Sequence, residues 1–295
     1  MTKKVAIVTG ANRGLGLLTA QKLAARGYHV VLTSRRAADG ENALAQIGAA
    51  VPGANVDCMA LDLASFASIR SFVDAFHERD LPLHLLVNNG GVMTTDPKVA
   101  FTADGFEMTF GTNHLGEFLL THLLLSDLEK AAPSRVVVLS SAMHKKGVGP
   151  GPGPDFDYDN LKAEKSFHPM VAYRNSRLAN LWFTFELDRR MKGKNISFVA
   201  VSPGWVPETA AASMPSPVQR FLFKHILWML PIARTPKQGA DNTVYAATDA
   251  AVASGSYIED QKPGVLSDDA RDQAEAKRLW EESCRWTGIE TYGVV

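Results

Sequence analysis

A tyrosine and an arginine stand four residues apart in the run AYRNSRLANLWF, as Tyr173 and Arg177. In a helix, residues at this spacing lie on one face, so the phenol and the guanidinium can approach each other. A tyrosine hydroxyl normally keeps its proton at neutral pH, and a nearby cation favours its ionised form. The pair is therefore a candidate for exchanging protons with a substrate, although such spacing also arises by chance on surface helices.

A glycine-rich turn, TGANRGLG, follows the first apolar run of the chain and opens a helical pattern. Gly10 permits a tight turn, Gly14 lets a phosphate come close, and Gly16 allows the helix to pack on the strand. The start of that helix offers free N–H groups and the positive end of its dipole to a pyrophosphate. Because the turn stands between a strand and a helix, it predicts a dinucleotide site, although three residues rather than one separate its first two glycines.

The end of the second strand indicates which dinucleotide is bound. An acidic residue at this point would hold the ribose 2′-hydroxyl of NAD. Thr33 and Ser34 are neutral instead, Arg35 follows, and Arg13 stands on the same side in the glycine turn. Two guanidiniums suit a 2′-phosphate, which they can bind through charge-assisted hydrogen bonds. The sequence therefore favours NADP(H), with solvent-exposed arginines as the alternative interpretation.

Composition limits the classes of protein to which the chain can belong. Its 295 residues include 31 Lys and Arg and 31 Asp and Glu, so the net charge gives no reason to expect nucleic acid or an anionic membrane as a partner. Cys58 and Cys284 stand far apart without metal-ligand spacing, so no metal site is expected, and two cysteines in a chain of this size indicate a reducing compartment and no disulfide framework. The N-terminal residues run directly into a strand, and the apolar residues 221–232 are too few to span a bilayer. We expect a cytoplasmic protein with no transmembrane segment.

Short apolar runs alternate with helical patterns along the first two-thirds of the chain. Near-continuous apolar strands between helices are typical of a parallel sheet covered on both faces. No change of composition marks a boundary, so residues 1–295 are predicted to form a single α/β domain, a Rossmann-like doubly wound parallel sheet of about seven strands. The clearest predicted strands are residues 5–9, 29–33, 56–62, 83–88, 135–140 and 196–202, and the clearest helices are residues 16–26, 64–79, 116–129 and 171–191.

Two segments interrupt this alternation. Residues 145–160 are rich in glycine and proline and are predicted to form a loop. Residues 214–236 combine an apolar helical pattern with prolines near both ends. Because ligands of open α/β sheets bind beyond the carboxyl ends of the strands, we expect residues 206–236 to form a lid over an apolar substrate pocket. An ordinary packed helix and a membrane-surface helix are the alternatives.

Together these features resemble the short-chain dehydrogenase/reductase family over essentially the whole chain. The detail is similar to the branch that contains retinol dehydrogenases, the WW-domain oxidoreductase and light-dependent protochlorophyllide reductases. The long interval between Ser141 and Tyr173 and the C-terminal KRLWEESCRWTGI support that branch. Beyond the glycine turn, the motifs that carry the resemblance are LDL with Asp62, NNGG from Asn88, TNHLGEF with Asn113, LSSAMH with Ser141, the Tyr173 pair and SPGW with Pro203.

The resemblance implies a role for each of these residues. Asn113 would kink its helix and hold a water molecule in a proton relay, Ser141 would bind the substrate oxygen, and Tyr173 would exchange the proton. Asp62 would meet the adenine amine of the cofactor. A helix cap is the alternative role of Asp62, and a helix-interior amide is that of Asn113. The other residues that the resemblance brings to the cofactor are Gly10, Asn12, Arg13, Gly14, Leu15, Gly16, Ser34, Arg35, Leu63, Asn88, Asn89, Gly90, Tyr173, Arg177, Pro203, Gly204 and Val206.

Arg177 is the main departure from the family pattern, which expects a lysine that clamps the nicotinamide ribose and passes protons on. An arginine keeps the positive charge and several donors, but it does not readily release its proton. Two outcomes follow: an active reductase, or a protein that binds NADP(H) while its chemistry lies elsewhere. Smaller departures are Gly90, where alanine is usual, and Glu208, which we expect to point outward. His144 and the two lysines after it are expected to be solvated loop charges.

The function expected from this resemblance is hydride transfer between NADP(H) and the carbonyl or alcohol carbon of a hydrophobic small molecule. Ser141 and Tyr173 would hydrogen-bond the substrate oxygen, and Tyr173 would supply its proton. Three alternatives stay open: reduction of an enone C=C bond, a non-redox cyclase or isomerase that retains NADP(H) as a structural ligand, and an interaction protein on a dehydrogenase scaffold. Family members commonly pair through their long helices, which leaves a homodimer open as well.

Overall fold

The fold is an open sheet with helices on both faces, seen in a computed structural model that describes residues 3–149, 151–211 and 216–292. Within these ranges the strands are β1 (Val5–Val8), β2 (His29–Ser34), β3 (Val56–Ala60), β4 (Leu83–Asn88), β5 (Ser134–Leu139), β6 (Ile196–Ser202), β7 (Ser256–Glu259) and β8 (Lys262–Pro263). They form one sheet in the order β3-β2-β1-β4-β5-β6-β7-β8. The pairs from β3 to β7 are parallel, and only the two-residue β8 is antiparallel to its neighbour. The predicted α/β class with a parallel sheet is confirmed, and β8 adds an edge strand too short to leave a sequence pattern.

Helices connect the parallel strands, as crossover connections require. In chain order they are α1 (Gly14–Ala24), α2 (Ala37–Ala50), α3 (Phe66–His77), α4 (Met108–Phe110), α5 (Gly116–Leu123), α6 (Leu125–Lys130), α7 (Pro169–Arg190), α8 (Pro207–Ala211), α9 (Pro217–His225), α10 (Pro236–Thr248), α11 (Asp268–Arg271) and α12 (Gln273–Thr287). A π-helix, Gly111–Leu115, joins α4 to α5. Short 3-10 turns occupy Ala142–His144, Tyr158–Asn160 and Leu227–Met229.

The core lies in two layers, one on each face of the sheet. All four residues of β1 are buried, which explains why its sequence is apolar without alternation. On one face the strands pack against α1, α2 and α10, represented by Leu23, Ala43 and Ala246. On the other they pack against α3, α5 and α7, represented by Phe72 and Phe183 among others. This sandwich fixes the carboxyl ends of the strands, the edge at which ligands of open α/β sheets bind.

The C-terminal helix α12 covers the groove between α5 and α7. Its Trp280 ring lies 5.2 Å from Phe118 of α5 and 6.2 Å from Phe183 of α7, measured between ring centroids. Tyr292 continues this layer, because its hydroxyl donates to the Phe118 carbonyl over 3.1 Å. The outer faces of α5 and α7 are therefore covered by α12 and by Tyr292.

The two segments that interrupt the alternation differ in outcome. Residues 145–160 form a loop as predicted, apart from the turn at Tyr158–Asn160 and residue 150, which lies outside the described residues. In the second segment, residues 214 and 215 also lie outside them, and the helical pattern corresponds to α9. The interpretation as an ordinary packed helix is wrong, because Val218 and Phe221 of α9 are exposed rather than buried.

Candidate active site

The glycine turn joins β1 to α1 in a form that only glycine can take. Gly10 and Gly14 both have φ of +59°, in the left-handed region that side chains disfavour. A Cβ atom on Gly10 would lie 2.9 Å from the Gly90 Cα, and one on Gly16 would lie 2.7 Å from the Gly10 carbonyl oxygen. Because α1 begins at Gly14, its free N–H groups open onto this turn. The cradle fits the pyrophosphate of a dinucleotide.

Thr9, at the end of β1, connects this turn to the end of β4. Its hydroxyl oxygen accepts the backbone N–H groups of Asn89 at 2.9 Å and Gly90 at 2.7 Å. The Asn89 side chain donates to the Thr9 carbonyl at 2.7 Å. The Asn88 side chain is buried, and its amide donates to Thr121 of α5 at 2.8 Å. Asn88 therefore ties β4 to α5, while its Oδ1 has no hydrogen-bond partner among the described residues. Its contact with the cofactor stays a prediction.

Glu117 of α5 is a buried acid that the sequence reasoning missed. Its Oε1 accepts the Thr9 hydroxyl at 2.8 Å, while Oε2 has no hydrogen-bond partner among the residues described. Burial raises the pKa of the carboxyl to about 8, although the Thr9 hydrogen bond and the Arg177 charge act in the opposite direction. At neutral pH the carboxyl is therefore mainly protonated. Because the Thr9 hydroxyl oxygen already accepts two N–H groups, its hydrogen is available to Oε1 at 2.8 Å, with the Val87 carbonyl at 3.3 Å as the other acceptor.

The arginines at the end of β2 and in the glycine turn meet at one corner of the cleft. Arg36 is paired with Asp39 through two hydrogen bonds of 2.7 and 3.0 Å. The pairing with Arg36 lowers the pKa of Asp39, and the charges of Arg13 and Arg35 act in the same direction, so all three guanidiniums lie near that carboxylate. Arg13 and Arg35 are exposed and form no ion pair within the described ranges. Ser34 is buried, and its hydroxyl donates to the Arg36 carbonyl at 3.0 Å.

Asp62 and Leu63 follow β3 at the same edge of the sheet. The Asp62 Oδ1 accepts the N–H of Ala64 at 3.0 Å, which closes a local turn. The helix that follows is capped by Ser65, whose hydroxyl accepts the Ser68 N–H. A helix cap is therefore not the role of Asp62. Leu63 is buried beneath Gly90, where a Cβ would come within 2.6 Å of its side chain.

Helix α7 is clamped to the end of β5 at Arg177. The Ser140 hydroxyl donates to the Arg177 carbonyl at 2.8 Å, and the Arg177 Nη1 donates to the Leu139 carbonyl at 3.1 Å. Asn180 donates to that same Leu139 oxygen at 2.9 Å. These three bonds fix Tyr173, one turn earlier on α7, relative to Ser141, the next residue after Ser140.

The Arg177 guanidinium lies over the phenol ring of Tyr173, as the spacing predicts. Its Cζ is 4.9 Å from the ring centroid, within the range of a cation–π contact. Arg177 is only 7% exposed, and a Cβ on Gly91 would come within 2.8 Å of its Nη2. The bulk of the arginine is therefore accommodated by the absence of a side chain at residue 91.

Asn113 lies in the π-helix, an irregularity that is frequent at functional sites. Its Oδ1 accepts the Val92 N–H at 2.7 Å, and its Nδ2 donates to the Val92 carbonyl at 2.9 Å and to Ser176 of α7 at 3.0 Å. The amide thus ties the segment after β4 to α7. Its role in holding a water molecule stays a prediction.

Ser141 begins the short turn Ala142–His144, and its hydroxyl oxygen accepts the Met143 N–H at 3.2 Å. The expectation that His144 is a solvated charge is wrong. Its Nδ1 donates to the Ser141 carbonyl at 2.7 Å, and its Nε2 accepts the Ser267 N–H at 3.3 Å. Burial lowers the pKa of this imidazole, so it is neutral and fixes the backbone of Ser141. The lysines after it pair with acids, Lys145 with Glu259 at 3.7 Å and Lys146 with Asp269 at 3.2 Å.

Arg174, beside Tyr173, is a second residue that the sequence reasoning missed. It is fully buried, and its guanidinium donates to the backbone carbonyls of Met143, Lys145 and Val148. An arginine next to a candidate catalytic tyrosine would ordinarily be considered for substrate binding. Here it holds the loop after Ser141 against α7.

The segment after β6 returns to the glycine turn. Gly204 has φ of +79°, and Val206 and Pro203 surround Gly239, where a Cβ would also meet Leu15 of α1. Glu208 is exposed, in agreement with its expected outward orientation. This segment borders the cleft on the side opposite the Asp62 corner, as the sheet order requires, since β6 and β3 lie on opposite sides of β1.

A parallel α/β sheet with a glycine turn after β1, and with Ser141, Tyr173 and Arg177 at the same sheet edge, is the arrangement expected of a nicotinamide-dependent oxidoreductase. Comparisons with known proteins agree with this class. The family model described as short chain dehydrogenase matches residues 4–152. The mouse protein retinol dehydrogenase 11 is 41% identical over 288 residues, which cover 97% of this chain and 87% of the relative. The chain therefore belongs to the short-chain dehydrogenase/reductase family and is an oxidoreductase of that family.

Further relatives identify the branch. Mouse retinol dehydrogenase 12 is 38% identical over 291 residues, covering 97% of this chain and 87% of the relative. The chain belongs to the retinol dehydrogenase branch of the family. Among solved structures, a short-chain dehydrogenase/reductase from Burkholderia xenovorans matches with a TM-score of 0.68 and 23% identity over 86% of this chain and 94% of its own. The structure of a variant of actinorhodin polyketide ketoreductase with NADPH matches with a TM-score of 0.62 and 24% identity, over 87% of this chain and 95% of its own. These two structural matches support the fold alone.

Proposed function

We propose that this protein is an NADP(H)-dependent oxidoreductase that moves hydride between the nicotinamide and the carbonyl or alcohol carbon of a hydrophobic small molecule. The observation that carries the proposal is the clamp at Arg177, which holds the Tyr173 phenol at the edge of the sheet that also carries the glycine cradle. The names of the retinol dehydrogenase relatives support an alcohol or carbonyl on an apolar skeleton as the substrate class.

Ser141, Tyr173 and Arg177 have different roles in the proposed reaction. The nicotinamide cofactor supplies the hydride. Ser141 donates a hydrogen bond to the substrate oxygen, and Tyr173 gives it a proton when the carbonyl is reduced. Arg177 stabilises the phenolate that Tyr173 leaves behind and supplies donors for the cofactor ribose. It does not hand on a proton itself, because a guanidinium keeps its protons throughout the neutral range.

The preference for NADP(H) is supported by Arg13 and Arg35, two exposed guanidiniums beside the predicted position of the ribose 2′-phosphate. In the described ranges neither forms an ion pair, and the nearby Asp39 is paired with Arg36 instead. A carboxylate at the end of β2, which would favour NAD, is missing from the sequence at Thr33 and Ser34. The neutral Ser34 is buried, and its hydroxyl donates to the Arg36 carbonyl. We therefore expect Arg13 and Arg35 to supply the phosphate contacts.

We also propose that the protein acts in the cytoplasm and that residues 206–236 form the lid of the substrate site. No helix in the described ranges is long and apolar enough to cross a membrane.

A homodimer through the outer faces of α5 and α7 would have to displace α12, which packs there through Trp280. We expect any pairing of subunits to use another surface.

The test is consumption of NADPH, followed by its absorbance, with a panel of hydrophobic ketones, aldehydes and enones. Deuterated NADPH then distinguishes the reactions. Label on the carbinol carbon of the product supports the proposal, whereas label on the β-carbon of an enone identifies a C=C reductase. Product formed without NADPH consumption identifies a non-redox catalyst, and no turnover of any substrate with intact cofactor binding contradicts the proposal altogether.

A further inference from the structure

The exposed large apolar side chains of this protein are concentrated in one short segment. Nine such side chains are exposed in the ranges that the structure describes, and seven of them lie within residues 218–232. Scattered exposed apolar residues are normal, but a contiguous group marks an interaction site. The seven, called the apolar patch below, are Val218, Phe221, Leu222, Ile226, Met229, Leu230 and Ile232.

The apolar patch is presented by a defined helix. Pro217 begins α9, and Ser216 and Gln219 form a capping box in which each side chain accepts the backbone N–H of the other residue. Val218, Phe221 and Leu222 have the spacing of one helix face, and that face is open to solvent: Phe221 is 60% exposed and Val218 is 76% exposed.

Both ends of the segment are fixed to the body of the protein. Trp205 and Ala233 form a parallel β-bridge, and the Arg234 N–H donates to the Trp205 carbonyl at 2.7 Å. The Arg234 side chain is paired with Asp260 at 2.7 Å. The patch therefore projects as a closed loop whose entry and exit are held together.

The charge of this segment contrasts with that of the rest of the chain. Residues 209–240 contain Arg220, Lys224, Arg234 and Lys237 and no Asp or Glu, and of these Arg234 is paired with Asp260 from outside the segment. The chain as a whole has 31 basic and 31 acidic residues, so outside this segment acids outnumber Lys and Arg by four. A neutral total thus conceals a basic segment, and two of its basic residues, Arg220 and Lys224, lie in the sequence between the residues of the apolar patch.

We propose that the apolar patch docks on the surface of an anionic lipid bilayer. An amphipathic helix with an apolar face and basic residues lies in the interface of such a bilayer, with its apolar side chains among the acyl chains and its cations near the headgroups. A second copy of this chain fits less well, since a twofold pairing through the patch would bring the same basic residues together. This docking does not depend on the proposed reaction.

The experiment is sedimentation of the full-length protein with vesicles of phosphatidylcholine alone or of phosphatidylcholine with phosphatidylserine. We expect binding to the vesicles that contain phosphatidylserine and weaker binding when salt is raised. Replacing both Phe221 and Met229 by Ser weakens binding by about a hundredfold, since each side chain contributes roughly tenfold when buried in the bilayer. Arg220→Gln weakens it by about fivefold.

Val265→Ser is the matched control, because Val265 and Met229 are both 69% exposed and only Met229 belongs to the patch. The control variant should bind vesicles as the wild type does. The proposal is overturned if the wild type binds neither kind of vesicle, or if it binds both kinds equally well at low and at high salt. It is also overturned if the patch variants bind vesicles as tightly as the wild type. Light scattering tests whether a second copy of this chain covers the patch. If the wild type forms a dimer that the patch variants abolish, and does not bind vesicles, the patch is an interface between two copies.

Discussion

Glu117 offers the sharpest test of the structure around the cleft, because its carboxyl is buried and one of its oxygens has no hydrogen-bond partner in the part of the chain that the structure describes. Its pKa rises from the ordinary value of 4.5 to about 8 on folding. The folded state therefore holds a proton that the unfolded state releases between these two pH values. The stability associated with this group is fully present below pH 4.5 and is lost as pH rises to about 8.

The size of the effect follows from the pKa difference. Each pH unit within the window lowers the free energy of unfolding by about 1.4 kcal/mol, so the whole window amounts to about 5 kcal/mol at most. Glu117→Gln is the informative change, because an amide keeps an oxygen for the Thr9 hydroxyl and cannot ionise. It should remove this part of the pH dependence while leaving stability at about pH 5 nearly unchanged.

The assay is urea-induced unfolding of wild type and Glu117→Gln at about pH 5 and about pH 9. We expect the wild type to lose several kcal/mol more than the variant across this range. Glu41→Gln, at an exposed position, should follow the wild type. Parallel pH profiles for wild type and Glu117→Gln would refute the assignment of a buried neutral acid.

Three further predictions concern the reaction. Tyr173→Phe should lower the rate of NADPH consumption at least a thousandfold, with a roughly twofold change at most in NADPH affinity by fluorescence titration; substantial residual turnover would remove Tyr173 from the chemistry. Replacing Arg13 and Arg35 together by Gln should weaken NADPH about a hundredfold and leave NADH unaffected, since each charge-assisted bond is worth roughly tenfold; equal losses for both cofactors in calorimetry would contradict the 2′-phosphate assignment. Arg177→Met should slow turnover by about a hundredfold. The Arg177 Cζ lies 4.9 Å from the Tyr173 ring centroid, and a cation and a phenolate oxygen roughly 5–6 Å apart interact by about 3 kcal/mol at an effective dielectric constant of about 20. Arg177→Lys should stay within about tenfold of wild type, since it retains the charge, and equal damage from both changes in steady-state kinetics would show that shape rather than charge matters.

Sequence patterns predicted the sheet well because its strands are buried on both faces and leave continuous apolar runs. Residues 83–88 and 196–202 coincide with β4 and β6 at both ends. The glycine turn was equally accessible, since positive φ at Gly10 and Gly14 restricts the residue type locally. In the strands and in the glycine turn alike, the residues that determine the local structure lie within a few positions of each other in the sequence.

Long-range polar contacts left no such signal. Glu117 contacts Thr9 across 108 positions, and Arg174 binds carbonyls of a loop about thirty residues earlier. A charged residue in a helix ordinarily indicates a solvated face. The one available clue for Glu117 was its position within the apolar run LGEFLLTHLLL, where every helix face must be covered. For residues 214–236 the pattern indicated a helix but not which neighbour, if any, covers its apolar face.

Arg177 illustrates why a departure from a family pattern must be weighed against its surroundings. A guanidinium in place of an ammonium needs space and an acceptor for its additional donors. Gly91 supplies the space, and the Leu139 carbonyl at the end of β5 supplies an acceptor. The Arg177 guanidinium also packs against the ring of Tyr173. Because these contacts also tie α7 to the strand that leads to Ser141, the arginine positions the phenol as well as providing its charge, which is why we expect an active oxidoreductase rather than a scaffold that has lost its chemistry.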